Sequence, residues 1–190
     1  MRYKPDQKAK TKAAVLQAGA RVLRKHGFHG IGMDGLADAA GVTSGALYSN
    51  FSNKEAILKA VIQECLGEPF VSTEAGTSEE RGEKLKEWLT AYISDYHRRN
   101  PEAGCVMPTL SADVARASKS VRQTYDARME VLLQKVMSAL GGDVADRKRR
   151  AWSIITIMVG AISVARAMPD GDNSESIIQA ASETALGLIG

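Results

Sequence analysis

Thr43, Ser44, Gly45, Ala46, Tyr48, Ser49 and Asn50 stand within a run of eight residues, and Lys54 follows four positions later. Hydroxyls, one phenol, one amide and one ammonium can donate and accept hydrogen bonds, but no strong base or activated nucleophile is among them. The chemistry on offer is recognition rather than bond cleavage. Gly45 and Ala46 would let a backbone come close to a grooved surface. The methyl groups of Thr43 and Ala46 suit a thymine methyl, the Asn50 amide suits an adenine edge or a phosphate, and the Lys54 charge suits a phosphate. No Arg or Lys lies between Thr43 and Asn50, so a two-pronged contact to guanine is not expected there. Any sequence preference would rest on shape, close fit and phosphate register.

Such side chains need a small rigid frame, and Met33–Phe51 supplies the pattern of one. Two short helical segments are expected, Asp34–Ala40 and Ser44–Tyr48, around a turn at Gly41-Val42-Thr43. Gly41 can take the left-handed conformation that ends a helix abruptly. Thr43 or Ser44 can cap the second segment through a side-chain oxygen. Ala37 is small enough to sit where two helices cross. Leu36, Ala40, Val42, Leu47 and Phe51 form the expected buried side. A turn glycine, a small crossing residue and an aliphatic anchor are the requirements of a helix-turn-helix.

The run Gly27–Leu58 resembles the DNA-binding segment of TetR-type transcriptional regulators. The matching residues are Gly27-Phe28, Leu36-Ala37, Ala40-Gly41-Val42, Gly45, Leu47-Tyr48, Phe51 and Lys54-Glu55-Ala56. The resemblance covers roughly the first third of the chain. It implies that Tyr48 and the helix start at Lys54 hold DNA phosphates. A free helix N-terminus carries the partial positive charge such contacts use. It implies also a small effector bound inside a second domain, a homodimer, and an inverted-repeat double-stranded DNA partner.

The rest of the chain reads as all-α, with a boundary placed at the Pro- and Gly-containing loop Gly67–Glu80. Residues 1–66 are then the helix-turn-helix domain and residues 67–190 the effector-binding and dimerisation domain. Ahead of the motif, Val15, Ala18, Gly19, Val22, Leu23 and His26 space one face of a helix over Thr11–His26. After it, Ser52 or Asn53 should cap a helix running to Leu66, with Ala56, Ile57, Ala60, Val61, Glu64 and Cys65 on one side. Further helices are expected over Arg81–Arg99, Gly104–Ala117, Val121–Leu140, Asp143–Met168 and Ser174–Ile189. In the fourth of these, Trp152, Ile154, Ile155, Ile157, Met158, Val159, Ile162 and Val164 go nearly all the way round. Such a helix must be covered on every side, and a two-fold dimer built from the last two helices would do so.

Trp88, Tyr92, Tyr96, Cys105, Met107, Met129 and Met158 are the candidate effector contacts, with Ser153 or Thr156 available to orient a ligand. Aromatics and methionines line adaptable apolar pockets, so a small, mostly apolar effector is expected. Cys105 follows Gly104 near a helix start, with Arg98 and Arg99 close in sequence. A thiolate favoured by such surroundings would sense electrophiles or oxidants; a buried, inert thiol is the plainer expectation. Two cysteines make no disulfide framework. With three scattered histidines they offer no metal-ligand spacing, so no metal or cofactor is expected. Neither a phosphate-binding glycine loop, a G-x-S-x-G elbow nor an H-E-x-x-H pair occurs, and no enzyme is expected.

Charge separates the two parts. Residues 1–54 hold nine Lys/Arg against three Asp/Glu, and residues 55–190 hold sixteen against nineteen. A basic end on a slightly acidic remainder suits a polyanion at one end only, although Lys4, Lys8, Lys10 and Lys12 also read as a solvated tail. The apolar run Ala151–Met168 is interrupted by Ser153, Thr156, Ser163 and Arg166. It reads as a buried helix rather than a membrane span of ~20 apolar residues. No apolar core follows the basic N-terminus, so a cytoplasmic protein is expected.

Overall fold

A computed structural model of the chain describes residues 5–72 and 76–189. Lys4, part of the expected basic tail, and residues 73–75 of the expected loop lie outside the described residues. Every regular element among the described residues is helical, as the sequence predicts.

The first helix, α1, spans Pro5–His26, and Gly27 ends it at a φ of +71°. Two short helices follow, α2 over Met33–Ala39 and α3 over Ser44–Asn50. Gly41, at a φ of +64°, makes the turn between them. Thr43 caps α3, its Oγ1 accepting the Ala46 N–H at 3.2 Å. The Ser44 hydroxyl donates to Asp34 at 2.9 Å and ties the start of α3 to the start of α2. Leu36, Ala37, Leu47 and Phe51 are buried as expected, whereas Ala40 and Val42 are only half-buried. Burying Leu47 completely contributes about 1.5–3 kcal/mol. Gly19 lets α1 come close to the next helix: a Cβ there would meet Ile57 at 3.3 Å.

That next helix, α4, spans Lys54–Cys65, capped by Asn53, whose Oδ1 accepts the Ala56 N–H at 2.8 Å. Its buried side is Ile57, Leu58, Val61 and Ile62, followed by Leu66. The expected side included Glu64, which is exposed. The stripe is turned because α4 packs on two partners, α1 and the later helix over Lys119–Ser138. Beyond α4, Gly67 turns the chain at a φ of +76°, and Phe70 is buried with its ring stacked on Trp88 at 4.5 Å. Arg128 anchors this segment through an ion pair to Glu68 and a hydrogen bond to the Leu66 carbonyl.

The expected helix Arg81–Arg99 is two helices. α5 spans Ser78–Tyr92 and opens with a capping box between Thr77 and Glu80. α6 spans Asp95–Arg99. Ser94 makes the break, its hydroxyl oxygen accepting the His97 N–H at 3.2 Å. A 3-10 turn, Pro101–Ala103, leads to α7, Met107–Ala115, which carries Pro108 in its first turn. α8 spans Lys119–Ser138, α9 Val144–Arg166 and α10 Asp172–Gly187. The inner sides of α8 and α9 (Leu132, Leu133 and Val136; Ile154, Met158 and Ile162) are fully buried. α9 and α10 pack closely on each other. They leave Trp152 36% and Val164 48% exposed, with Ile157, Val159, Ile177 and Ile178 half-buried.

Candidate functional site

The outward face of α3 carries the residues singled out in the sequence. Thr43, Ser44, Gly45 and Ser49 are exposed, Tyr48 is 53% exposed, and Ala46 and Asn50 are half-buried. Most of their polar atoms are already engaged. Ser49 donates to the Ala46 carbonyl at 2.8 Å, and the Asn50 Nδ2 donates to the same oxygen at 2.9 Å. Asn50 is therefore turned back onto its own helix, and Tyr48 is the large side chain standing clear.

Lys54 sits at the first position of α4. Its ammonium lies 4.4 Å from the centre of the Phe28 ring. Burial pulls the Lys54 ammonium below the usual lysine range, with the Asp113 charge opposing. Asp113 also accepts the Phe28 N–H at 2.7 Å. One carboxylate of α7 thus holds the loop after α1, and that loop's ring supports Lys54.

A second feature lies at the other end of α4. A cavity of about 480 Å³ is lined by Trp88, Tyr92, Tyr96 and Cys105, four of the candidate effector contacts. Met107 and Met158 are fully buried core side chains, and Met129 packs against that core; none of the three lines this cavity. Thr156 and Ser153 donate to carbonyls of their own helix and lie outside it too. The sequence reading missed Arg24, Glu64, Cys65, Glu68 and His97, all of which reach the lining. The lining therefore mixes aromatic with charged side chains. Cys65 borders the cavity instead of lying in the core. Burial raises its thiol pKa, and the neighbouring Arg24 opposes that rise.

His97 organises the aromatic side. Its Nδ1 donates to the Tyr92 carbonyl at 2.7 Å and its Nε2 accepts the Cys105 N–H at 3.0 Å. A carbonyl only accepts and an N–H only donates, so the ring is neutral with its proton on Nδ1. Burial pushes its pKa down to about 4; the Tyr92 carbonyl opposes, and the Arg166 and Arg24 charges add to the fall. Neither ring nitrogen is left to accept a proton from the Cys105 thiol. Arg98 and Arg99 point instead to Asp95 and Asp170, at 2.6–2.8 Å. Cys105 is 6% exposed and lies two residues ahead of α7. Its thiol shares its burial with the Tyr92 hydroxyl, whose pKa burial raises well above the usual tyrosine value, the Cys105 thiol adding to the rise.

A pH dependence follows from His97. Above pH 6.5 the ring is neutral in both folded and unfolded chains. As the pH falls from 6.5 toward 4 the unfolded chain binds the proton first, so stability is lost with falling pH, by at most about 3 kcal/mol. Denaturant midpoints at pH 7 and pH 4.5 should therefore differ more in the parent than in a His97→Gln variant, whose amide oxygen can still accept from Cys105. Equal differences in the two proteins would contradict this assignment.

The described residues hold no group of three or more His, Cys, Asp or Glu placed to bind a metal ion, and no helix among them is long and apolar enough to cross a membrane. Comparison with known proteins adds the following. Residues 15–61 match the family model described as bacterial regulatory proteins, tetR family. The HTH-type transcriptional repressor ComR of Escherichia coli (strain K12) is 24% identical over 128 residues, a match spanning 64% of this chain and 61% of that repressor's length. The TetR transcriptional regulator of Legionella pneumophila superposes with a TM-score of 0.75 at 18% identity, covering 100% of both chains. The regulator FadR of Bacillus subtilis, solved in complex with stearoyl-CoA, superposes with a TM-score of 0.67 at 18% identity over 94% of this chain and 97% of its own. At these identities the superpositions establish a shared fold.

Proposed function

We propose that this TetR-type chain, matched by the tetR family model over residues 15–61 and sharing the fold of TetR regulators, is a dimeric transcriptional repressor, released from an inverted-repeat operator by a small effector. The observation that carries this reading is the span of α4. The helix begins beside the recognition helix with Lys54 and ends at the cavity with Glu64 and Cys65. A ligand pressing on its far end would tilt the end that faces DNA. In this reading residues 1–66 bind DNA and residues 67–190 bind effector and pair with a second copy. The protein acts in the cytoplasm, where the chromosome lies.

The exposed Trp152 and Val164 and the half-buried Ile177 and Ile178 support pairing through α9 and α10. Two copies related by a two-fold axis present two recognition helices, and half-sites one turn apart require them ~34–36 Å from each other. The effector must bind the splayed arrangement better; a 100-fold loss of operator affinity needs ~2.7 kcal/mol of such preference. FadR's stearoyl-CoA shows that this fold accommodates a ligand in that protein. Here Trp88, Tyr92 and Tyr96 suit an apolar body, and Arg24 suits a polar end. A DNA-binding protein without an effector would leave this cavity and two-thirds of the chain without a role.

Lys54 tests the phosphate contacts. A Lys54→Ala variant should bind all DNA sequences more weakly by a similar factor. Its affinity should fall less steeply with salt, the log–log slope dropping by about one unit. Titrations of labelled DNA at several salt concentrations measure both. A loss confined to some sequences, with an unchanged salt slope, would contradict the phosphate role.

A further inference from the structure

The C-terminal ends of α1, α6 and α9 meet at a second cleft, of about 530 Å³, lined by Arg24, Lys25, Arg98, Arg99, Arg166 and Asp170 among others. It is distinct from the aromatic cavity, with which it shares only Arg24. Its five cations are not equally matched. Arg98 and Arg99 are each paired with both Asp95 and Asp170. Lys25 stands 3.6 Å from the Glu102 carboxylate.

Arg24 and Arg166 have no carboxylate partner among the described residues. Arg24 donates from Nη1 to the Glu102 carbonyl at 2.9 Å. Arg166 donates from Nε to the Arg98 carbonyl at 3.1 Å and from Nη2 to the His97 carbonyl at 2.6 Å. These oxygens fix the two guanidinium groups, and the last-turn carbonyls of α6 offset the Arg166 charge only in part. Each also keeps one buried nitrogen with no acceptor, Nε of Arg24 and Nη1 of Arg166. A buried donor left unsatisfied is costly, more so when it is charged. Burial pulls Arg166 below the usual arginine range, with Tyr92 and Cys105 opposing.

We infer that this cleft binds a phosphate-type oxyanion, which would bridge Arg24 and Lys25 of the DNA-binding end to Arg166 of α9. Guanidinium groups fixed in place are well suited to phosphate oxygens. The anion is either free in solution or the phosphate end of a larger molecule. Bound there, it would lock α1 onto α6 and α9 and so provide an input separate from the aromatic cavity. The proposal concerns binding to the protein alone, so its failure would leave the operator reading untouched.

The test is calorimetric titration of the full chain with inorganic pyrophosphate and, separately, with ADP. Saturable binding of pyrophosphate is expected, weakened at least tenfold by Arg166→Gln. Lys25→Gln, at an exposed position, should weaken it too without affecting folding. Lys54→Ala should leave it unchanged, which separates the cleft from the DNA-facing surface. Binding of ADP as well as pyrophosphate would identify a phosphate ester as a permitted source; binding of pyrophosphate alone would identify the free anion. Absence of saturable binding by both, or binding that survives Arg166→Gln and Lys25→Gln, would overturn the proposal and leave these arginines as helix caps only.

Discussion

A Gly45→Glu protein should melt at or slightly above the parent's temperature and bind operator DNA at least ~100-fold more weakly, a loss of ~2.7 kcal/mol. The two effects separate because of where Gly45 lies. It is the second residue of α3 and exposed, and a Cβ placed there meets nothing within 4 Å. Removing a glycine from a helix gains about 0.5–1 kcal/mol, and a carboxylate in the first turn is favoured by the helix dipole. Folding therefore has no reason to suffer. In the proposed reading the same position, between Ser44 and Ala46, is where the recognition helix would approach the groove. A charged side chain of that length would hold the helix away and set a negative charge among phosphates. Affinity within threefold of the parent would show that α3 does not enter the groove.

Gly104→Ala should have the opposite signature, with damage to the fold first. A Cβ at Gly104 would stand 2.0 Å from the His97 Nε2 and 2.1 Å from its Cδ2. The ring cannot swing aside freely. It is held by the Tyr92 carbonyl and the Cys105 N–H, and it packs edge-on against the Tyr92 ring at 4.5 Å. Displacing it strands the Cys105 N–H and overpacks the wall of the aromatic cavity. Overpacking and a lost buried hydrogen bond together cost about 3 kcal/mol, a fall in Tm of about 6–12 °C for a chain of this size. Thermal melting followed by circular dichroism measures it. A Tm within 2 °C of the parent would mean that the ring has room to move, and that His97 does not shape the cavity as described.

These two glycines mark what the sequence reveals and what it hides. The helix-turn-helix was legible because its signals are local. Gly41 for a left-handed turn, Thr43 for a cap and Leu47 for an anchor all act within ten residues, and each does in the structure what its type implies. Gly104 carries no such signal, because what forbids a Cβ there is the ring of His97, delivered by a separate helix. The break at Ser94 was hidden by an apolar pattern that runs on from Leu89 through Tyr96, although Ser94-Asp95 is itself a capping signal.

The structure brings Trp88, Tyr92, Tyr96 and Cys105 side by side. They come from neighbouring stretches of chain and line the cavity together. Met107 and Met158 were grouped with them by residue type alone, and an apolar side chain at helical spacing most often fills the core, as these do. The charged wall was out of reach of sequence pattern. Arg24 and Glu64 arrive from helices far away in the chain, and only the packing of α1 and α4 against the second half brings them in.

The central claim is sequence-specific binding to an inverted repeat, and selection of the purified protein against a randomised double-stranded DNA pool, at near-physiological salt, tests it most directly. Enrichment of a two-fold symmetric site with half-sites about one helical turn apart is expected, lost when Gly45→Glu is used in place of the parent. Binding without any enriched sequence, vanishing as the salt is raised, would contradict it.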